Sequence, residues 1–208
     1  MYKIQNGGGE TAILNTIDTL LFDVSMFTRM KRNKLISVNL DESEPVICVG
    51  LKLSDTSFGC NGFTELNKVR GVTFDEVETT HSHLHFMKWV YRNFRHEIKG
   101  VIHNTGQGHH KVENFIEKVN VIKFLKKFEI PKIFKDLDKK YKKKGETHTP
   151  YKQMVKKFNL GYRMELYTGW DTSSEIICGA GLFNVDARRI GFIRTGTGKV
   201  IWDEFKDE

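Results

Sequence analysis

Hydrophobic and polar residues alternate with two different periods in the first half of the chain. Apolar residues recur at mixed spacing that suits a helix in 11–30, and at helical spacing in 87–98, where Met87, Val90 and Phe94 follow each other at i, i+3 and i+7. Short apolar runs at 36–38 and 46–49 flank an acidic turn. The first pattern predicts helices and the second predicts a β-hairpin. The first half is therefore predicted to be an α/β part.

Two more apolar stripes at helical spacing lie between residues 111 and 157. The first runs from Val112 to Leu125 and the second from Ile133 to Tyr141, with Pro131 between them. Proline suits the first turn of a helix, where its missing N–H is not needed. Each stripe predicts a helix that buries its apolar side and leaves its polar residues outside.

The pattern changes to strand-like alternation after Pro150. Four segments show it: 161–168, 175–185, 189–194 and 200–205. The residues Thr195-Gly196-Thr197-Gly198 predict a hairpin turn between the last two strands. These elements predict an α+β fold of one domain over 1–208, with an N-terminal α/β part, a basic helical middle and a C-terminal antiparallel β meander.

The composition is that of a folded protein without a membrane span. The chain has 208 residues, 39% of them hydrophobic, including fifteen Phe. No run of eighteen apolar residues occurs, and the first ten residues do not resemble a secretory signal. Cys48, Cys60 and Cys178 lack metal-binding spacing and are an odd number, so we expect free thiols in a reducing compartment. A cytoplasmic location is predicted.

The positive charge is concentrated in 111–157. That segment has fifteen lysines and six acidic residues, a net charge of +9, whereas the whole chain carries +7. Clustered cations gain free energy by releasing counterions from a phosphate backbone, which predicts nucleic acid or another polyanion as the partner. An acidic protein or anionic lipid headgroups would use the same charge. The predicted contact residues are Lys123, Lys126, Lys127, Lys135, Lys139, Lys140, Lys142, Lys143, Lys156 and Lys157.

Aromatic residues lie among these lysines. Phe124, Phe128, Tyr141 and Tyr151 could stack on unpaired bases, but their positions in the apolar stripes favour a place in the core. The segment contains no arginine, the residue that reads guanine with two parallel hydrogen bonds. A modest sequence preference is therefore expected.

Three histidines alternate in the stretch 80–86. In a strand His81, His83 and His85 would face the same side, and in a helix His81 and His85 would share a face at i, i+4. Either geometry can present two imidazoles to one divalent metal, Mg²⁺, Mn²⁺ or Zn²⁺. The alternative is that these histidines form the solvated side of the helix that follows.

The His83-Leu84-His85 motif resembles the His-hydrophobic-His motif of HUH endonucleases, the replication-initiator and relaxase group. In that family the two histidines bind a divalent metal, and a downstream tyrosine attacks a phosphate. Tyr141-Lys142-Lys143-Lys144 resembles the Tyr-x-x-Lys motif of the family. The resemblance implies His83 and His85 as ligands, Tyr141 as nucleophile and Lys144 as its helper.

The sequence therefore predicts a protein that binds nucleic acid through a lysine-rich helical face. The enzymatic form of this hypothesis adds metal-dependent nicking of a phosphodiester. The alternative is a structural or assembly protein without enzymatic activity that docks an acidic partner.

Overall fold

A computed structural model describes four stretches of the chain: residues 29–41, 45–52, 82–143 and 150–204, without the side chains of 141–143 and 150. The chain divides into two compact units, Met1–Leu35 and Ile36–Glu208. In the described part of the first unit, Arg32–Lys34 forms an exposed 3-10 helix. The sheet and the sites lie in the second unit. The single domain over 1–208 stays a prediction.

Within the described residues, one six-stranded mixed sheet organises the second unit. Its strands are β1 (Ile47–Lys52), β2 (Ile98–His103), β3 (Val119–Lys123), β4 (Met164–Thr168), β5 (Asp186–Thr195) and β6 (Val200–Trp202). The spatial order is β2-β4-β1-β5-β3-β6. Strands β3 and β6 run parallel, and the other neighbouring pairs are antiparallel.

Helices pack on both faces of this sheet. They are α1 (Leu84–Phe94), α2 (Lys132–Lys143), α3 (Pro150–Met154) and α4 (Trp170–Ala180). Shorter 3-10 helices lie at Gly108–Phe115, Leu125–Lys127 and Gly181–Phe183. In the part of the chain that the structure describes, no helix combines the length and the apolar character needed to cross a bilayer.

The two faces of the sheet carry separate apolar cores. In the first core, Cys48 and Tyr167 of the sheet meet Phe134 of α2 and Met154 of α3. The second core joins the opposite face to α1 and α4, and its members include Val49, Leu166, Phe86 and Ile176. Strand β1 is buried along its whole length because it contributes to both cores. A continuous apolar run is the pattern expected of a strand covered on both faces.

The α+β class is confirmed, and several predicted elements are in place. The second apolar stripe of 111–157 forms α2, which begins directly after Pro131. The helix predicted over 87–98 is α1, but it ends at Phe94, and Ile98 begins β2. Gly100 is therefore a strand residue. The prediction over 11–30 lies almost entirely outside the described residues.

Three predictions of element type or pairing were wrong. Residues 175–185 lie mostly in α4, where Ser173, Ile176 and Ala180 are buried at i, i+3 and i+7. The stripe from Val112 to Leu125 is no single helix, because 3-10 helix Gly108–Phe115 precedes β3. The residues 36–38 form no strand, so the predicted hairpin between them and 46–49 is absent. Strand β1 pairs with β4 and β5 instead.

The predicted C-terminal meander was also wrong. Strands β5 and β6 are not paired with each other, because β3 lies between them. The Gly196–Gly198 region carries the chain from β5 past β3 to β6. The Asn120 side chain of β3 stabilises this turn, because its Oδ1 accepts hydrogen bonds from the backbone N–H groups of Thr197 and Lys199 at 2.9 and 3.0 Å. A strand from the basic middle thus completes the C-terminal part of the sheet.

Candidate nucleic-acid interface

Most of the predicted contact lysines that are described have exposed side chains. The exposed lysines of 126–157, which we call the lysine surface, are Lys126, Lys127, Lys132, Lys135, Lys139, Lys140, Lys156 and Lys157. Lys142 and Lys143 lie on α2, and their side chains are not described. This set places several cations on the solvent side of the first core.

Helix α2 exposes its lysines because its other side is apolar. Phe134 and Leu137 are fully buried in the first core, with Ile133 packed against it. Lys132, Lys135 and Lys139 recur at i, i+3 and i+7, so they share one side of the helix. The acidic residues of α2 are Asp136, which lies 3.5 Å from the Lys139 ammonium, and Asp138, which is buried. The exposed side of α2 therefore carries an excess of positive charge.

Lys123 is not part of this surface, which corrects the prediction that it contacts nucleic acid. It lies on β3 with its side chain pointing into the first core, where it is fully buried. Its ammonium group donates to Glu165 Oε1 at 2.6 Å and to the carbonyl oxygen of His109 at 2.9 Å. A strand at this point turns every second side chain inward, whereas the predicted helix would have left the lysine outside.

Glu165 is the centre of a buried polar network. Its Oε1 also accepts a hydrogen bond from Asn104 at 2.9 Å and lies 2.7 Å from His109 Nδ1, and its Oε2 accepts one from the Tyr167 hydroxyl at 2.6 Å. The other ring nitrogen of His109, Nε2, donates to the Asn159 carbonyl at 2.7 Å. Each of these side chains is at most 1% exposed. The network is a structural part of the core and touches no surface.

The electrostatics of this network favour a charged Glu165–Lys123 pair. Burial alone would raise the pKa of Glu165, but the Lys123 ammonium and the His109 hydrogen bond hold it well below its usual range. Burial and the Lys123 charge lower the pKa of His109, against the opposing effect of Glu165. Burial raises the pKa of Tyr167 and of Cys48 well above their usual values.

A second histidine, His110, belongs to a shallow cleft beside the lysine surface. The cleft has a volume of about 430 Å³, and Lys156 and Lys199 also line it. His110 Nδ1 lies 3.0 Å from Glu113 Oε1, and its Nε2 accepts a hydrogen bond from the Trp202 indole at 3.3 Å. Because both ring nitrogens are engaged, this imidazole is held in one orientation.

The aromatic groove is a feature that sequence reasoning missed. It has a volume of about 450 Å³ and lies where the start of β1, the middle of β5 and the N-terminus of α4 meet. Its walls hold the exposed rings of Trp170 and Phe192 and the half-buried ring of Phe124. The described lining residues are Pro45, Val46, Ile47, Phe124, Lys127, Trp170, Arg189, Gly191, Phe192 and Ile193.

The rings of the groove are ordered by contacts with each other and with cations. Phe124 and Phe192 stack with their centroids 5.8 Å apart. The Arg189 guanidinium lies over the Trp170 ring, 3.7 Å from its centroid. Arg189 Nε also donates to Ser173 Oγ at 2.8 Å, which fixes the guanidinium against α4. One side of Trp170 is thereby backed by a cation.

The 3-10 helix Leu125–Lys127, which we call the lysine turn, connects the groove to the lysine surface. The Glu204 carboxylate accepts hydrogen bonds from the backbone N–H groups of Leu125 and Lys126, at 2.7 and 3.0 Å. These two hydrogen bonds fix the backbone of the lysine turn directly after Phe124. The Lys126 ammonium lies 5.6 Å from the Phe124 ring centroid and 4.0 Å from Asp203.

The structure places the two described histidines of the predicted metal site in different environments. His83 is buried and directly precedes α1, and His85 is an exposed residue of the first turn of that helix. His81 lies outside the described residues. Burial, together with the positive charges of His103 and Arg163, lowers the pKa of His83 from 6.5 to about 4.

The side chains of the nucleophile and the helper that the resemblance implied are not among the described ones. Tyr141 lies in the last turn of α2, with its side chain not described, and Lys144 lies outside the described residues. Within 29–41, 45–52, 82–143 and 150–204, no three His, Cys, Asp or Glu residues are grouped as a metal site requires. The divalent metal stays a prediction.

One sequence signal could have indicated the groove. In β5, Phe192 occupies an outward position between the buried residues Gly191 and Ile193. A large aromatic ring on the solvent side of a strand marks a candidate binding surface when other exposed rings lie near it. Trp170 gave no such signal, because its position depends on where α4 begins.

No protein-family model matches the chain, and no characterised protein has a significantly similar sequence.

Proposed function

We propose that this protein binds nucleic acid through the lysine surface. The observation that carries the proposal is the exposed side of α2, where Lys132, Lys135 and Lys139 share one face while the acidic Asp138 is buried. Such a surface attracts phosphate by charge and gains entropy when counterions leave the nucleic acid.

The choice of lysine supports phosphate contact over base reading. A lysine ammonium is a compact point charge, whereas specific recognition of guanine usually uses the planar fork of arginine. The whole segment 111–157, which carries these lysines, contains no arginine. We therefore expect binding with little sequence preference and a strong dependence on salt.

Fluorescence anisotropy with a labelled oligonucleotide across a salt series tests the proposal. The logarithm of the association constant should fall linearly with the logarithm of salt concentration, with a slope of about −0.7 to −0.9 per neutralised phosphate. The double variant Lys135→Glu/Lys139→Glu should weaken binding about tenfold or more and reduce the steepness of that slope, because two phosphate contacts are lost.

A matched control separates a local contact from a general effect of net charge. Lys88→Glu/Arg92→Glu makes the same change in charge on exposed positions of α1, a helix that packs on the opposite face of the sheet. This variant should bind nearly as well as the wild type. Equal losses in both double variants, or no binding at low salt, would contradict the proposal.

Nicking of a phosphodiester remains a prediction from the resemblance of His83-Leu84-His85 to the HUH motif. Incubating the protein with a supercoiled plasmid and Mn²⁺ tests it, with His83→Ala and Tyr141→Phe as variants that should lose the activity. The binding proposal does not depend on this result.

A further inference from the structure

The aromatic groove has the composition of a site for unpaired nucleobases. Trp170 is 57% exposed and Phe192 is 36% exposed, although large aromatic rings are usually buried. They face a groove of about 450 Å³ whose walls are mainly apolar. A partly open apolar groove edged by exposed aromatic rings is suited to a planar aromatic ligand.

The charges at the groove define which planar ligand it fits. Lys127 and Arg189 line it, and none of its described lining residues is acidic. A ligand with flat rings and negative charge complements this surface. Nucleic acid has both, because each base is joined to a phosphate.

The position of the groove along the chain connects it to the lysine surface. Phe124 lines the groove and is followed at once by the lysine turn, whose Lys126 and Lys127 belong to that surface. Glu204 holds this turn through two backbone hydrogen bonds. A strand whose phosphates contact Lys126 and Lys127 can thus place its bases against the rings.

We propose that the aromatic groove binds unpaired bases, so that single-stranded nucleic acid is the preferred ligand of this protein. Bases paired within a duplex have both faces covered by their neighbours, whereas a single strand can turn one base onto Phe192 or Trp170. This inference rests on the proposed binding of nucleic acid and adds its substrate class.

Affinity measurements with an oligo(dT) strand and with a duplex of the same length test the inference. The wild type should bind the single strand more tightly. Phe192→Ala should lose about tenfold in affinity for the single strand, the scale expected for one lost stacking contact, and little for the duplex. Phe192→Leu keeps an apolar side chain against Phe124 and should show the same selective loss if folding is unaffected.

Phe115→Ala is the matched control. Phe115 is 51% exposed, lies on the 3-10 helix Gly108–Phe115 and does not line the groove. Removing this ring should leave both affinities unchanged. Lys135→Glu/Lys139→Glu should instead weaken the single strand and the duplex together, because it removes phosphate contacts that both ligands make.

Tryptophan emission gives an independent reading. Trp170 is the exposed tryptophan, whereas Trp202 is 5% exposed and Trp89 is half-buried. A base that stacks on Trp170 should quench its emission as oligo(dT) is added. Trp170→Phe keeps an aromatic ring, so it should retain binding and lose the quenching.

The outcomes distinguish the two proposals. If Phe192→Ala and Phe192→Leu bind both ligands as the wild type does, or Trp170 emission is unchanged by bound oligo(dT), the groove is not a base site, and the lysine surface is still supported. If the wild type binds neither ligand at low salt, the proposed function itself fails. Tighter binding of the duplex would also overturn the inference.

Discussion

Glu165 and Lys123 form an ion pair from which solvent is fully excluded. The Lys123 Nζ and Glu165 Oε1 atoms are 2.6 Å apart, and both residues are 0% exposed. A buried charge is costly when alone, and here the carboxylate also receives hydrogen bonds from Asn104 and Tyr167. The pair is therefore stable as a unit and vulnerable to the loss of either member.

Glu165→Leu should lower the free energy of unfolding by about 3–5 kcal/mol, because it leaves the Lys123 ammonium buried without its carboxylate. Urea unfolding followed by circular dichroism measures the loss. Replacing both residues, as in Lys123→Met/Glu165→Leu, should recover part of it. Glu175→Leu on the exposed side of α4 is the control, and a similar loss there would contradict this account.

The same network predicts a loss of stability in acid. The folded-state pKa of Glu165 lies below its ordinary value of 4.5. The Glu165 carboxylate therefore contributes to the free energy of unfolding above that pH, and this contribution is lost as the pH falls through the folded-state pKa. The pKa of His109 is also lowered by burial and by Lys123, which again favours the folded state at higher pH. Both groups therefore act in the same direction.

His83 allows this sign to be tested at a single residue. Its pKa falls from 6.5 to about 4 on folding, so the folded state favours the neutral imidazole. Its contribution to stability is present above pH 6.5 and decreases as the pH falls to about 4. His83→Leu should flatten the pH dependence of unfolding free energy in that window, by up to about 3 kcal/mol in total.

The exposed neighbour His85 is the control for this experiment. His85→Leu removes a neighbouring imidazole that is exposed, so it controls for the loss of a histidine without the loss of a buried one. The measurement is urea unfolding at several pH values between 4 and 6.5. If the two variants have the same slope as the wild type, His83 is not held neutral by the fold.

At the scale of elements, the contact between β5 and β3 depends on a glycine. A Cβ atom on Gly191 would lie 2.1 Å from the carbonyl oxygen of Ile122, which is a backbone atom and cannot turn aside. Strand β3 lies between β5 and β6, so this contact secures the only described link of β6 to the sheet.

Gly191→Ala should destabilise the protein by about 1–3 kcal/mol through this steric conflict. Denaturant unfolding is the measurement. Gly100→Ala, also in a strand, is the matched control, since its added Cβ would meet Val38 Cγ1 at an ordinary 3.4 Å. Equal effects of the two substitutions would show that the β5–β3 approach is less tight than described.

At the scale of the whole molecule, two cores share one sheet. Adjacent residues of β1 and β4 point to opposite faces, so Cys48 and Tyr167 join the first core and Val49 and Leu166 the second. Neither core can separate without breaking strands on which the other depends. We therefore expect the sheet and both helical layers to unfold cooperatively.

Two tryptophans can report the two cores separately. Trp202 is a member of the first core, and Trp89 packs against the second. Two variants each keep one of these tryptophans, with the other tryptophans replaced by phenylalanine. In each variant, the urea transition followed by fluorescence should have the same midpoint as the transition followed by circular dichroism. Distinct midpoints within one variant, between fluorescence and circular dichroism, would indicate independent cores.

The features that depend on local spacing could be predicted from the order of residues. The apolar stripe of α2, its start after Pro131 and the outward lysines follow from helical periodicity. The apolar run of β1 and the alternation in β4 were also sufficient for their assignment. The α+β class followed from these elements.

Strand pairing and the position of side chains depended instead on contacts between distant segments. The alternation read in 175–185 was overridden because Ile176 and Ala180 pack as a helix on the second core. Lys123 is inside because β3 is placed between β5 and β6, a pairing of residues far apart in the chain. The aromatic groove joins Phe124, Trp170 and Phe192 from three separate elements. Periodicity describes which side of an element is apolar, whereas contacts between distant segments determine what each side meets.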